Sequence, residues 1–439
     1  MIRYDVAVVG GGPAGLAAAA AASGDARAVV VDAGSRLGGQ FWRHRAGAEP
    51  PALWRLRSSA DHLPDAPVWF AEPVDPVDPA ESAESAESST GFRLHTPAGV
   101  VTADRIVLAT GAHDRSVPFP GWTLPGVVTV GAAQALLKAH GVLIGRRVAV
   151  AGAGPFLLAV AAGLATAGAE VVGVFEAGYL RGYAKHPRAL GPAKLAEGAR
   201  YAAVLARQRV PYRRGHTVTA AHGTDALEAI TVTGRGRERR LDVDALAISY
   251  GFTPQVELAI ALGCDTHLDR DGSLVVTVDD DQRTSIKGVY AAGEITGVGG
   301  ADLAQLEGRI AGRAAAGKVP DPAPRRQRAK ARRFARAMHD VHRRPSWIEH
   351  LADDTLICRC EEVPYAEVRE AVELGATDTR AVKLLCRAGM GWCQGRICGP
   401  AVAELTAHLN GRPPTRDDQA AFANRAIAQP TTLGDLAGP

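Results

Sequence analysis

The chain opens on the feature that constrains it most: a short apolar strand, a glycine turn and an alanine-rich helix, then a second strand ending in an acid. Asp5-Val6-Ala7-Val8-Val9 reads as the strand, Gly10-Gly11-Gly12-Pro13-Ala14-Gly15 as the turn, and the helix runs to about Ala22. In the spacing G-x-G-x-x-G, Gly10 permits the tight turn and Gly12 lets backbone approach a pyrophosphate. Gly15 lets helix and strand pack closely, and Pro13 and Ala14 begin a helix whose free N–H groups suit phosphate. The next strand, Ala28 to Val31, ends in Asp32, twenty residues past Gly12. A carboxylate there accepts both hydroxyls of a ribose. Three glycines alone are compatible with an empty turn. Strand, helix and acid in this order point to a bound dinucleotide and to a parallel α/β sheet.

The pattern recurs. Val148-Ala149-Val150-Ala151 is a strand, Gly152-Ala153-Gly154-Pro155-Phe156-Leu157 follows, and the strand Val171 to Phe175 ends in Glu176. Leu157 stands where the third glycine belongs, a position that sets helix packing rather than phosphate contact. Gly152 and Gly154 leave room for phosphate, and Glu176 favours a free 2′-hydroxyl, hence NAD over NADP. Another adenine nucleotide, or a fold kept only for structure, fits the same residues. The expected fold is therefore α/β with two Rossmann-like domains. Residues 6–22 and 148–169 are long and apolar, but their glycines read better as buried strand, turn and close-packed helix. No other stretch suggests a transmembrane segment, so a cytoplasmic protein, at most peripheral to a membrane, is expected. Lys and Arg (50) nearly balance Asp and Glu (47), giving +3, which predicts neither nucleic acid nor membrane as partner.

Two further tracts divide the chain. Asp78 to Thr90 is acidic and low in complexity, a surface loop. Pro320 to Arg344 carries three prolines and then nine Arg or Lys residues. It reads as a helix, either a solvated or subunit-facing linker or an anion-binding face. All six cysteines lie after residue 263 and five lie between 358 and 398, a distribution that suits a metal site in a reducing compartment. Cys358, Cys360, Cys393 and Cys398 are spaced C-x-C-x32-C-x4-C. Four thiolates on two short loops suit a small soft-metal centre. Structural zinc pairs are usually wider than C-x-C, whereas four-cysteine ligation of [2Fe–2S] is common.

Two resemblances sharpen this. The opening fingerprint, Leu108-Ala109-Thr110-Gly111-Ala112 and Gly288-Val289-Tyr290-Ala291-Ala292-Gly293-Glu294 together resemble the two-dinucleotide-binding-domain flavoproteins of the glutathione-reductase-like group. The resemblance implies FAD in the first site, with Thr110 and Gly111 beneath the flavin nucleotide and Gln40 beside it. Gly293 and Glu294 then lie on the return strand. The family usually has Asp at the last position, where the acid bonds the ribityl chain; Glu294 is one methylene longer. Disulfide reductases of this group carry a close cysteine pair. Here there is none near Gly38-Gly39-Gln40, and Cys264 stands alone, a small buried hydrophobe. His113, in A-T-G-A-H-D-R, either faces the flavin or serves only as a hydrogen-bonding group.

The second resemblance rests on Cys358, Cys360 and the run Arg387-Ala388-Gly389-Met390-Gly391-Trp392-Cys393-Gln394-Gly395-Arg396-Ile397-Cys398. It is similar to the bacterioferritin-associated-ferredoxin (BFD) type [2Fe–2S] domain, in the version found in alpha subunits of opine oxidases, hydrogen cyanide synthase and sarcosine-oxidase-like amine dehydrogenases. Cys386 falls where that family commonly has Thr, a non-ligand. The implied layout is a split FAD-binding domain (1–118 and 246–320), an inserted second nucleotide-binding domain (119–245), a basic linker (321–350) and a [2Fe–2S] module with its tail (351–439). Flavin takes two electrons and the cluster carries one, so the pair makes a two-to-one electron converter. The resemblance implies an alpha subunit in a hetero-oligomer with an FAD-bearing beta subunit, with room for a small third one. Electrons would pass from an amine or amino acid of opine, sarcosine, hydroxyproline or glycine type to a quinone or one-electron acceptor. The alternatives are a stand-alone NADH-dependent reductase and a largely structural scaffold subunit.

Overall fold

A computed structural model describes residues 3–56, 58–74 and 91–437; the low-complexity tract Asp78 to Thr90 lies outside these described residues. The first sheet has the order 61–63, 28–31, 3–9, 99–108, 91–96, 70–74. Its central strand, Arg3–Val9, pairs parallel with both neighbours, and Val6, Ala7 and Val8 are fully buried. Such two-sided burial is why this strand reads as a continuous apolar run rather than an alternating one. The ten-residue strand Gly99–Leu108 divides one edge between two partners. Its first half pairs antiparallel with Gly91–Thr96, and its last three residues pair parallel with Val289–Ala291. The late return strand thus completes the sheet begun at residue 3.

Helix Pro13–Ala22 packs on helix Ala301–Ala315. A Cβ at Gly308 or Gly312 would strike the carbonyl of Ala14 or Ala18, so this contact exists only because both positions lack side chains.

The second sheet is wholly parallel, in the order 212–214, 170–176, 147–152, 245–249, 127–129. A three-stranded antiparallel meander, 216–222, 229–234 and 237–242, lies beside it. The sequence pattern alone ends this unit at residue 245. The strand Ala245–Ser249 instead pairs with Val148–Gly152, so the second unit runs through Ser249. Two strands, Ala112–Asp114 and Phe252–Pro254, pair antiparallel where the chain crosses between the units, a crossover termed the hinge region.

Pro322–Val341 is a twenty-residue helix. One face, with Arg326, Lys330, Arg333 and Arg336, is exposed as a solvated linker helix would be, but the opposite face is held. Arg328 and Arg332 both reach Glu307, a fully buried carboxylate on helix Ala301–Ala315. Arg325 pairs with Asp281, and Ala335, Ala337 and Val341 are buried. The C-terminal module is built from helices 365–373, 379–386, 399–409 and 416–423 around Ile357, Val368, Val382, Val402 and Leu405. Its core is continuous with Val117 and Tyr250 of the hinge region, and Trp122 Nε1 donates to the Leu356 carbonyl at 2.7 Å. Among the described residues no helix is long and apolar enough to cross a membrane; the two apolar stretches form strands 3–9 and 147–152 with helices 13–22 and 156–166.

Candidate dinucleotide and iron–sulfur site

One cavity of about 2770 Å³ runs between the two nucleotide folds. Gly10, Gly12, Pro13, Ala14, Asp32, Gln40, Thr110, Gly111 and Glu294 all line it. Gly10 has φ +108°, and a Cβ there would strike the Ala109 carbonyl; one at Gly15 would strike Gly10. Around Gly12, in contrast, the nearest atom to such a Cβ is Gly39 Cα at 4.0 Å. The space at Gly12, and a helix start at Pro13 with no side-chain cap, form a cradle that fits a pyrophosphate. Asp32 accepts from Gly11 N at 2.9 Å and Gly34 N at 3.0 Å, and burial raises its pKa against those two bonds. Thr110 Oγ1 donates to the Gln255 carbonyl at 2.6 Å, and the Gly111 carbonyl accepts from Gln255 N at 3.0 Å. Gly293, at φ +83°, approaches Ala14 and donates to Glu307 at 3.1 Å. Glu294 accepts from Gly299 N and Gly300 N, at 3.2 and 2.9 Å, while burial raises its pKa. Its carboxylate thus holds the two-glycine turn that leads into helix Ala301–Ala315.

The second site differs. Gly154 lines the cavity, and Leu157 is fully buried in the helix–strand contact expected of it. Gly152, at φ +133°, sits against Ser249. Glu176, the expected ribose acid, is only 1% exposed. It accepts from Gly154 N at 3.2 Å and Gly178 N at 3.0 Å, and His342 Nδ1 stands 3.3 Å from its Oε1. Tyr183 bonds the other ring nitrogen at 3.1 Å, and burial with the Glu176 charge pushes that phenol up to about 12.

The four expected cysteine ligands converge in two close pairs. Cys398 and Cys358 hydrogen-bond, which pulls Cys358 down to about 5 and pushes Cys398 up. Gly389 N also points at Cys358 Sγ, at 3.4 Å. Cys360 lies against Cys393. Two thiol pairs, backbone N–H groups aimed at Cys358 and a glycine at 391 packed on Cys360 fit a two-iron cluster with cysteine ligands. Glu362, Arg387 and Gln394 hold positive φ of 52°, 64° and 54° in the segments flanking these cysteines. Strain of this kind concentrates at functional sites. Cys386 donates to the Val382 carbonyl at 3.2 Å, as a non-ligand would, and Cys264 is buried in the first domain's core.

His113 joins the two halves. It lines the large cavity, and its Nε2 donates to the Arg396 carbonyl at 3.1 Å, within the loop between Cys393 and Cys398. Burial lowers its pKa, which favours the uncharged ring. Arg396 fixes that loop by donating to the carbonyls of Cys393, Ile427 and Ala428. Glu307, Tyr183 and His342 carry no local sequence signal for these roles, whereas Arg396 lies within the run that ends at Cys398. Only the one-turn spacing of Arg328 and Arg332 hints at a shared partner.

Two dinucleotide folds sharing one cavity, with a four-cysteine module against their hinge, define one component of a flavin and iron–sulfur oxidoreductase. Residues 356–408 match the BFD-like [2Fe-2S] binding domain. The chain belongs to the pyridine nucleotide-disulphide oxidoreductase family, which residues 4–316 match, and within it to the relatives of the opine oxidase A-subunit. It is 32% identical to the opine oxidase A-subunit of Rhizobium meliloti over 466 residues, covering 99% of this chain and 87% of that one. It is 34% identical to the HcnB subunit of hydrogen cyanide synthase from Pseudomonas aeruginosa over 435 residues, covering 92% and 93%. L-proline dehydrogenase from P. horikoshii shares the fold, with a TM-score of 0.70 at 20% identity over 99% of this chain and 79% of that one.

Proposed function

We propose that this chain is the electron-relaying subunit of a heteromeric amine or amino-acid dehydrogenase. An FAD-bearing partner subunit oxidises the substrate, and electrons leave to a quinone or one-electron acceptor. The observation that carries this reading is His113, which faces the dinucleotide cavity and holds the Cys393–Cys398 loop at 3.1 Å. FAD and a [2Fe–2S] cluster, when bound, supply the conversion between two-electron and one-electron steps. The chain's own residues do the rest. The Gly10–Gly15 turn and Asp32 would seat the nucleotide, the cysteine pairs would hold the iron, and His113 fixes one site against the other. The relatives are named as subunits of an opine oxidase and of hydrogen cyanide synthase. Those names support an amine or amino-acid substrate and a second, partner subunit.

The test is anaerobic reduction of the reconstituted complex by opines, sarcosine, hydroxyproline or glycine. The cluster band of this chain should bleach with one of these amines only when the partner is present. Bleaching of the isolated chain by the amine, or amine oxidation by the complex with the cluster left oxidised, rejects the reading.

A further inference from the structure

The molecule contains its own control experiment, because the two nucleotide folds hold their acids alike. Asp32 takes one N–H from its glycine turn and one from the residue two places on, Gly11 and Gly34, at 2.9 and 3.0 Å. Glu176 takes a similar pair, from Gly154, one place further along its turn than Gly11, and from Gly178, at 3.2 and 3.0 Å. Asp32 then faces the cavity, whereas Glu176 does not. The difference lies at the end of helix Pro322–Val341, where His342 covers the second acid.

We infer that the second nucleotide fold takes no pyridine nucleotide, because His342, backed by Tyr183, occupies the place of the adenosine ribose on Glu176. A carboxylate offers no proton, so His342 Nδ1–H donates to Glu176 Oε1 and Nε2 accepts from the Tyr183 hydroxyl. The His342 side chain is 5% exposed, and it and Tyr183 line the cavity where Glu176 does not. The contact is built into the sequence on both sides. A Cβ at Gly178 would lie 2.9 Å from the Val341 carbonyl oxygen, and one at Gly182 would lie 3.0 Å from Val341 Cγ2. Asp340 ties the same helix end to His186 of the second unit and Arg270 of the first, at 3.5 and 3.2 Å. Arg328 and Arg332 anchor the helix further back, on Glu307. The second fold therefore serves as a wall of the cavity. On this reading reducing equivalents do not enter this chain from NADH. The inference stands apart from the proposed partner subunit, since a chain closed to NADH and a chain without a partner fail in different assays.

The experiment is NADH titration of the purified holoprotein, followed by hydrogen exchange of residues 176–183. Wild type should show no saturable binding and no added protection. His342→Ala should bind NADH saturably, with a Kd at least about tenfold below the highest concentration at which wild type shows no binding, the gain expected from freeing one bond to a charged group. Adding Glu176→Gln should remove that gain. Saturable NADH binding by wild type that protects residues 176–183 overturns the inference, and this measurement decides alone if His342→Ala does not fold. A folded His342→Ala protein that gains no binding overturns it as well.

Discussion

Gly12 has φ −78° and ψ −172°, a backbone any residue adopts, and no protein atom comes within 4.0 Å of where its Cβ would be. Its lack of a side chain is thus of no use to the apoprotein. Gly12→Val is expected to leave stability within about 1 kcal/mol of wild type while removing bound flavin; absorbance per mole of protein and a urea midpoint check both halves. Gly10→Val and Gly15→Val, which drive a Cβ into backbone, should instead lower stability. Asp418 gives a pH prediction. Two bonds from Arg412, at 2.6 and 2.9 Å, hold its carboxyl down at about 2, with the Thr415 capping bonds assisting. A depressed folded-state pKa contributes stability that is complete above the unfolded value near 3.8 and lost as pH falls through about 2. Asp418→Asn should flatten the stability curve of the C-terminal module between about pH 4 and pH 2, measured by acid titration of its circular dichroism. The glycine fingerprint was legible because its requirements are local. The closing of Glu176 was not, since its partner His342 stands 166 residues away.

At the scale of elements, helix Pro322–Val341 shows what composition conceals. A run of arginines reads as a solvated face, yet Arg328 and Arg332, one turn apart, both bond Glu307 Oε1 at 3.0 and 2.7 Å. Glu307 Oε2 accepts from Gly293 N and Thr296 at 3.1 and 3.0 Å, so this carboxylate is fully partnered. Removing one member of such a group strands the others, which costs about 3–5 kcal/mol. Glu307→Ala should therefore raise amide exchange along residues 322–341 by two or more orders of magnitude; exchange unchanged from wild type rejects the staple. The boundary at residue 245 was misplaced for a related reason. Ala245 to Ser249 is apolar and strand-like in either sheet, and only its register with Val148 to Gly152 assigns it.

For the whole molecule, the order of motifs along the chain gave the architecture: two α/β units, a helix and a cysteine module. Where the module docks was not legible, because the hinge residues Val117 and Tyr250 that enter its core have no distinguishing pattern. Since the module's packing is largely apolar, Cys393→Ser should remove iron and cluster absorbance but leave flavin at its wild-type level. Loss of both cofactors together would mean that the cluster holds the hinge region in shape.

The divided edge of strand Gly99–Leu108 has a consequence for synthesis. The second sheet is complete once Ser249 has emerged from the ribosome, whereas the first waits for Val289–Ala291. The half-edge at Ile106 to Leu108 therefore stays unpaired while some 180 residues are added, roughly 10–40 s at ordinary elongation rates. The inserted unit matures inside an unfinished host, and the newborn chain carries an open strand edge that invites pairing with other chains until its own late strand arrives.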